Sequence, residues 1–308
     1  MPTSDASPSR PKHAGPLLLV DASPYIFRAF YSLPSSMRDK DGNQANASRG
    51  FADFLGKLLT EEEPSHVLVA FDGSLTTSFR NEIFPAYKSS RELPDAELMA
   101  QLEACYAVAD AFGCFTCIDE RYEADDLVAT ARARFDADFD GFAVVTADKD
   151  LTQLVDDRTV FYDFAKGARL GPSEVHGKFG VHPRQIRDML GLAGDSVDDI
   201  PGVRGVGPKT AVALLGAFED LDELFDNLDR VKDVEVRGAK TLAAKLEEHR
   251  EIAFLSRELA TCAFDAPLDV DGASGLVWPG VKRAELDALL EHLGYRAGVP
   301  RFPALPNA

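Results

Sequence analysis

Short apolar runs that end in an acid alternate along this chain with longer stretches in which apolar positions recur every three to four residues. Leu17–Val20 runs into Asp21, Val67–Phe71 into Asp72, and Phe142–Thr146 leads to Asp148 and Asp150. Near-continuous apolar runs bounded by turns predict strands buried on both faces of a parallel sheet. Between them, 47–60, 96–112 and 125–135 carry the period of amphipathic helices. The alternation predicts an α/β fold, with a mostly parallel central sheet and flanking helices. Beyond residue 172 the strand signal fades. Pro172–Leu190 reads as two short helices split at Pro183, and 208–217, 220–228, 238–261 and 282–293 read as further helices. The expected division is an α/β domain over 16–171 and a helical region over 172–298, with a disordered tail at 1–15 and a second tail at 299–308.

Composition adds bounds. The 308 residues hold 51 acidic and 33 basic side chains, a net charge of −18, with 45% apolar and 9% aromatic positions. These proportions exclude a disordered or collagen-like chain and suffice for a sizeable core. No apolar run approaches the ~20 residues needed to span a bilayer, so no membrane partner is expected. The first fifteen residues lack the apolar stretch of a secretory signal. Four cysteines, Cys105, Cys114, Cys117 and Cys262, are too few for a disulfide framework and point to a reducing cytoplasm. Cys114 and Cys117 have CxxC spacing without a second pair or a nearby histidine, so zinc is disfavoured and both read as small core residues on a strand. The acidity would argue against a polyanionic partner only if the charge were evenly spread, and it is clustered.

In parallel sheets, ligands bind beyond the carboxyl ends of the strands, and here three strands deliver an acid to that edge. A turn-forming Asp explains any one of them but not all three together. Glu123, Asp125 and Asp126 open an apolar helix; a favourable macrodipole accounts for one of these acids, whereas three repel unless a cation lies among them. Asp148 and Asp150 lie two apart just past a strand, and Asp195 and Asp198 lie three apart on one side of a helical turn, where capping is the alternative role. With Asp21 and Asp72 this makes nine carboxylates from five segments. Nine oxygen donors exceed the needs of one hard divalent ion and suit a two-metal centre with surrounding support. No EF-hand loop is present. Ile200–Ala211 is rich in glycine; Gly205 and Gly207 allow close backbone approach, and Pro208 suits a first helical turn, giving a phosphate-binding helix end. Neither Rossmann nor P-loop spacing is met, so no nucleotide cofactor is expected. Residues 78–91 form a basic, aromatic-bearing connection leaving the acidic edge, and no Ser/His/Asp or Cys/His nucleophile arrangement is apparent.

Taken in order, these motifs resemble the 5′-nuclease superfamily: the 5′→3′ exonuclease domain of bacterial DNA polymerase I, phage 5′-exonucleases and flap endonucleases. The resemblance runs from about Leu17 to Leu268 through the strand ending in Asp21, Val69-Ala70-Phe71-Asp72, Tyr122-Glu123-Ala124-Asp125-Asp126, Thr146-Ala147-Asp148-Lys149-Asp150, Gly194-Asp195-Ser196-Val197-Asp198-Asp199 and the glycine hairpin. It implies a PIN-like catalytic domain and a metal-dependent 5′→3′ exonuclease and 5′-flap endonuclease acting on DNA with 5′ ends, flaps or nicks, including an RNA primer in duplex, in replication or repair. It maps all nine acids onto metal ligands for two Mg²⁺ ions, which Mn²⁺ could replace. Asp199 departs from the Asn common in polymerase-linked members. The resemblance also implies a helical arch over 74–95, whose Tyr-Lys-x-x-Arg motif maps onto Tyr87, Lys88 and Arg91. Lys88 and Arg91 would steady the scissile phosphate, and Tyr87 would stack the unpaired base. A helix-hairpin-helix near 195–217 would grip duplex phosphates through Gly202, Val203, Arg204, Gly205, Val206, Gly207, Lys209 and Thr210, and in the family it often holds K⁺. Arg80, Lys88, Arg91, Arg204 and Lys209 would form the local basic surface. A freestanding monomer is expected, since the 308 residues leave no room for a polymerase domain. Two rivals are a PIN-like ribonuclease, which would not need 195–215, and a DNA-binding scaffold of the same fold, which would lack ligands.

Overall fold

The computed structural model describes residues 13–74, 76–92, 94–296 and 301–308. Its first half contains, in chain order, β1 (His13–Asp21), α1 (Ser23–Ser32), α2 (Asn46–Glu62), β2 (Val67–Asp72), α3 (Phe79–Ile83), α4 (Ala96–Ala111), β3 (Phe115–Asp119), α5 (Ala124–Arg134), β4 (Phe139–Val145), β5 (Thr159–Asp163) and β6 (Ala168–Leu170). The six strands form one sheet in the order β3-β2-β1-β4-β5-β6, parallel except for β6, which runs antiparallel to β5. The period of two places Leu18 and Val20 of β1 in the core under α2 and α4, and Leu17 and Leu19 in the core under α5. Both faces are therefore covered, which is why the strand reads as continuously apolar. β1 lies between β2 and β4, so the strand order reverses beside it and opens a crevice at the end carrying Asp21.

The second half contains α6 (Pro172–Phe179), α7 (Ile186–Ala193), α8 (Pro208–Ala217), α9 (Leu221–Asp226), α10 (Ala239–Glu248), α11 (Arg250–Ala260) and α12 (Arg283–His292). From α6 to α11 the helices share a separate core built around Leu192, Val203, Val206, Leu214 and Leu246. The single helix expected over 238–261 is broken at His249 into α10 and α11. α1, β5 and β6 were not foreseen at all.

Three expected boundaries change. Residues 1–12 of the N-terminal tail lie outside the described residues, whereas His13–Gly15 already belong to β1, where the His13 amide donates to the Asp138 carbonyl at 2.7 Å. Residues 262–276 and α12 do not join the helical region. Cys262, Leu268 and Leu276 pack on one face of the sheet, and Leu286 and Leu290 on the other. Of the second tail, 299 and 300 lie outside the described residues; Leu305 is buried in the α/β core and Phe302 meets Phe112 edge-on. Apolar residues at intervals too irregular for a helix or strand explain why this return was not legible.

Between α7 and α8 the chain makes a tight hairpin. Gly202 has φ of +62°, and a Cβ there would fall 2.3 Å from the Gly194 nitrogen. Gly207 has φ of −99° and open space around it. Gly202→Ala should therefore cost about 2 kcal/mol or more of stability, from left-handed strain and backbone collision. Gly207→Ala should cost under about 1 kcal/mol as a poorer N-cap. Urea denaturation of both variants checks this, and equal losses would contradict the hairpin geometry.

Candidate active site

The ends of β1 and β2, the start of α5, the loop after β4 and the loop after α7 converge on one cleft of about 430 Å³ at the carboxyl edge of the sheet. Seven of the nine expected ligands line it: Asp21, Asp72, Glu123, Asp125, Asp148, Asp150 and Asp198. Their carboxylates are aimed by neutral donors. Thr146 Oγ1 donates to Asp21 Oδ2 at 2.8 Å, Ser23 Oγ donates to Asp72 Oδ2 at 2.5 Å, and the Ala124 amide donates to Asp72 Oδ1 at 2.8 Å. Asp150 Oδ1 is buried and accepts no hydrogen bond.

Burial, and then the neighbouring Asp72 and Asp148, raise the Asp21 carboxyl well above its ordinary range. Asp72, Asp125 and Asp148 are also raised, each first by burial. Burial beside Asp148 pushes Asp150 up to about 7. Glu123 is the exception: burial opposes its charge, but Lys88 and Arg80 hold it below the usual range. Crowded, desolvated oxygen donors, one of them buried without a hydrogen bond, fit hard divalent cations, which would relieve the repulsion.

Arg80 was expected on a basic surface, and that expectation is corrected. It is 1% exposed. Its guanidinium donates to both oxygens of Asp126 at 2.8 Å, to Glu123 at 2.8 Å, and to the carbonyls of Leu259 at 2.8 Å and Thr261 at 3.1 Å. Asp126 is accordingly placed differently from expectation. Its carboxylate approaches those of Glu123 and Asp125, with one oxygen from each within 4.8 Å, yet both its oxygens face the guanidinium, and it does not line the cleft. Tyr87 is also corrected. It lines the cleft but is only 4% exposed: its ring packs in the helical core and its hydroxyl donates to Glu123 Oε2 at 3.0 Å, so little of the ring is open to a stacking base.

Residues 84–92 do not form the expected helical arch; the only helix in the described part of 74–95 is the five-residue α3. They lie as a strap across the cleft. Asn81 Nδ2 donates to the Tyr87 carbonyl at 2.8 Å, the Lys88 amide to the Asp198 carbonyl at 3.0 Å, and the Ser90 amide and hydroxyl to Asp199 at 2.8 and 2.9 Å. Lys88 (φ +53°) and Asp199 (φ +55°) both take left-handed backbone where the strap meets the loop. Lys88 and Arg91 do line the cleft, the first paired with Glu123 and the second with Asp198. Asp195 does not line it; its Oδ2 meets Lys149 Nζ at 2.7 Å.

In the hairpin, Arg204, Gly205, Gly207 and Lys209 are exposed and Thr210 is half-buried. Val203 and Val206 point into the helical core, and the Gly202 amide is spent on Ser256 Oγ at 3.0 Å, so Gly202 offers no amide to a ligand. The sequence reading missed Ser23 and Thr146, though Thr146 sits within a motif quoted above. It also missed α1, which brings Phe27 and the 76% exposed Tyr31 to the cleft wall. Their spacing, Pro24-x-x-Phe27-x-x-x-Tyr31 directly after Asp21, is one helical face and was a readable signal.

A family model described as the 5′-3′ exonuclease N-terminal resolvase-like domain matches residues 16–180, and one described as the 5′-3′ exonuclease C-terminal SAM fold matches 181–283. DNA polymerase I of Bacillus subtilis is 41% identical over 292 residues, covering 93% of this chain and 32% of its own length. DNA polymerase I of Pseudomonas aeruginosa is 42% identical, covering 91% and 31%. The chain thus spans about a third of these relatives. A 5′-3′ exonuclease of Buchnera aphidicola is 29% identical, covering 83% of this chain and 88% of its own. Among solved structures, the bacteriophage T5 flap endonuclease in a pseudo-enzyme-product complex with DNA and metal ions has a TM-score of 0.64 at 20% identity, covering 91% of this chain and all of that one. The catalytic core of Rad2 with DNA substrate has a TM-score of 0.58 at 18% identity, covering 91% and 89%. Both share the fold.

Arg80→Met should cost about 3 kcal/mol or more of folding stability, because it strands Asp126 and Glu123 without their cation; chemical denaturation measures it. A second outcome concerns pH. Carboxyls raised in the folded state contribute stability that is present below their unfolded values and is lost as pH rises through their folded ones, here up to about 7 for Asp150. Divalent cations bind the deprotonated form. The difference in melting temperature between Mg²⁺-loaded and EDTA-treated protein should therefore widen from pH 5 to 8, and a constant difference would contradict this account.

Proposed function

The chain belongs to the 5′-3′ exonuclease family, and from that premise we propose that it is a divalent-cation-dependent nuclease that hydrolyses phosphodiester bonds at 5′ ends and 5′ flaps of DNA. The observation that carries this reading is the convergence of seven carboxylates from five segments on a cleft crossed by a cationic strap, with the hairpin attached through Asp198. Nicked or gapped duplexes, and an RNA primer in duplex, are included among its substrates. The resident ion is Mg²⁺, with Mn²⁺ able to substitute and K⁺ at the hairpin. Action as a monomer in a reducing cytoplasm, in primer removal or repair, completes the reading; four free, buried cysteines fit it.

Asp21, Asp72, Glu123, Asp125, Asp148, Asp150 and Asp198 would hold the ions, and Asp195 would join them once Lys149 releases it. The chemistry they supply when bound is Lewis acidity toward water and toward the scissile phosphate. This chain's own residues do the rest. Ser23 and Thr146 fix the carboxylate orientations before substrate arrives, so little reorganisation is needed during reaction. Lys88 and Arg91, once released from Glu123 and Asp198, balance charge on the phosphoryl oxygens. Phe27 and Tyr31 give an apolar wall beside the unpaired nucleotide, the role first expected of Tyr87. Arg204 and Lys209, near the N-terminus of α8, contact duplex phosphates without reading bases.

Cleavage of a 5′-labelled flap duplex tests this. Mg²⁺ should release short 5′ products, EDTA should abolish them, and Asp148→Ala should lower the rate by more than the ~10–100-fold typical of losing an outer-shell partner. Intact substrate with DNA binding retained would instead favour a scaffold. Efficient cleavage of RNA that survives disruption of 195–215 would favour a ribonuclease.

A further inference from the structure

Lys149 lies between two expected ligands from different parts of the chain. Its Nζ is 2.7 Å from Asp195 Oδ2, in the loop after α7, and 3.5 Å from Asp150 Oδ1, in the loop after β4. Asp150 Oδ1 is the buried oxygen that accepts no hydrogen bond. Asp195 has its other oxygen taken by the Val197 amide at 2.8 Å, and its turn is closed by paired backbone bonds to Ile200 at 2.9 and 2.8 Å. The Asp195 carboxylate is thus held by backbone geometry, and both carboxylates turn an oxygen toward one point, where the cation present is an ammonium. Lys149 reaches that point from the rim with half of its side chain exposed. As an ordinary ion pair at that exposure it would be worth little. It does not explain why a buried carboxylate oxygen is left without a hydrogen bond beside it.

We propose that the Lys149 ammonium is the exchangeable counter-ion of the metal-free cleft, joining Asp195 to Asp150 in place of a divalent cation and yielding both carboxylates when that cation binds. The proposal rests on the reading that the cleft takes divalent cations. Lys88 makes a similar bridge, close to Glu123 and 3.8 Å from Asp198, but it also faces the phosphate position and so cannot separate the two roles. Lys149 can. It is a positioning residue: it keeps the two loops in register without metal and competes with the metal for the same oxygens.

The sign of its effect on metal binding distinguishes this from simple loop bracing. Removing a competing positive charge tightens binding of a divalent ion, whereas removing a brace weakens it or leaves it unchanged. The test is Mn²⁺ binding to the full chain without DNA, followed by electron paramagnetic resonance of the free ion, for wild type, Lys149→Met, Lys149→Gln and Lys149→Arg. Both neutral variants should bind Mn²⁺ about tenfold more tightly than wild type at low salt, with the gain shrinking at high salt. Lys149→Arg should stay near wild type. Circular dichroism and melting curves identify any variant that fails to fold, and two neutral substitutions guard against one failing. Unchanged or weaker Mn²⁺ affinity in folded neutral variants, with normal binding by wild type, overturns this proposal alone. No Mn²⁺ binding by wild type overturns it together with the metal-dependent reading.

Discussion

Enclosing seven carboxylates in one cleft costs electrostatic energy, and poorly solvated walls magnify that cost. Much of the surrounding structure offsets it. Arg80 carries a permanent charge into the wall behind Glu123 and Asp126. Lys88, Arg91 and Lys149 bring further cations from the strap and the rim, each against a particular acid. Ser23 and Thr146 add neutral donors where a further cation would fill the space needed by a ligand. Burial first, and then the repulsion that remains, keep the carboxyls of Asp21, Asp125 and Asp150 raised, and a cluster of oxygen donors in that state fits a divalent ion.

The same charges tie the two halves of the molecule together. Arg80 sits on α3, its carboxylate partners open α5, and its carbonyl partners lie at the end of α11. The strap beyond α3 is fastened to Asp198 and Asp199, which lead directly into the hairpin. A duplex held at the hairpin would therefore pull on the loop that grips Lys88 and Arg91. The hairpin and the loop that holds Lys88 and Arg91 are joined by a covalent path of a few residues.

Much of this was legible in the chain. The acids at the ends of β1, β2 and β4 could be read because a buried parallel strand is continuously apolar and its first polar residue marks the edge where ligands bind. α8 could be placed to the residue because Gly207 and Pro208 mark its start. The burial of Arg80 and Tyr87 was missed for one reason. In a loop-like stretch an arginine and a tyrosine look the same whether exposed or enclosed, since no periodicity states which side is buried. The return of 301–308 and the break at His249 escaped for want of any local signal.

By itself, then, the sequence determined the strands β1 to β4, the helices α2, α4 and α5 that alternate with them, the acidic edge and the glycine turn, because each depends on residues a few positions apart. Tertiary structure alone decided which acids share the cleft and which are diverted, Asp126 to Arg80 and Asp195 to Lys149. It also decided that the basic connection lies down as a strap. Those outcomes depend on partners far along the chain: 46 residues separate Arg80 from Asp126, 179 separate it from the Leu259 carbonyl, and 109 separate Ser90 from Asp199. Burial and charge pairing at such separations follow from how the layers pack, and no local pattern encodes them.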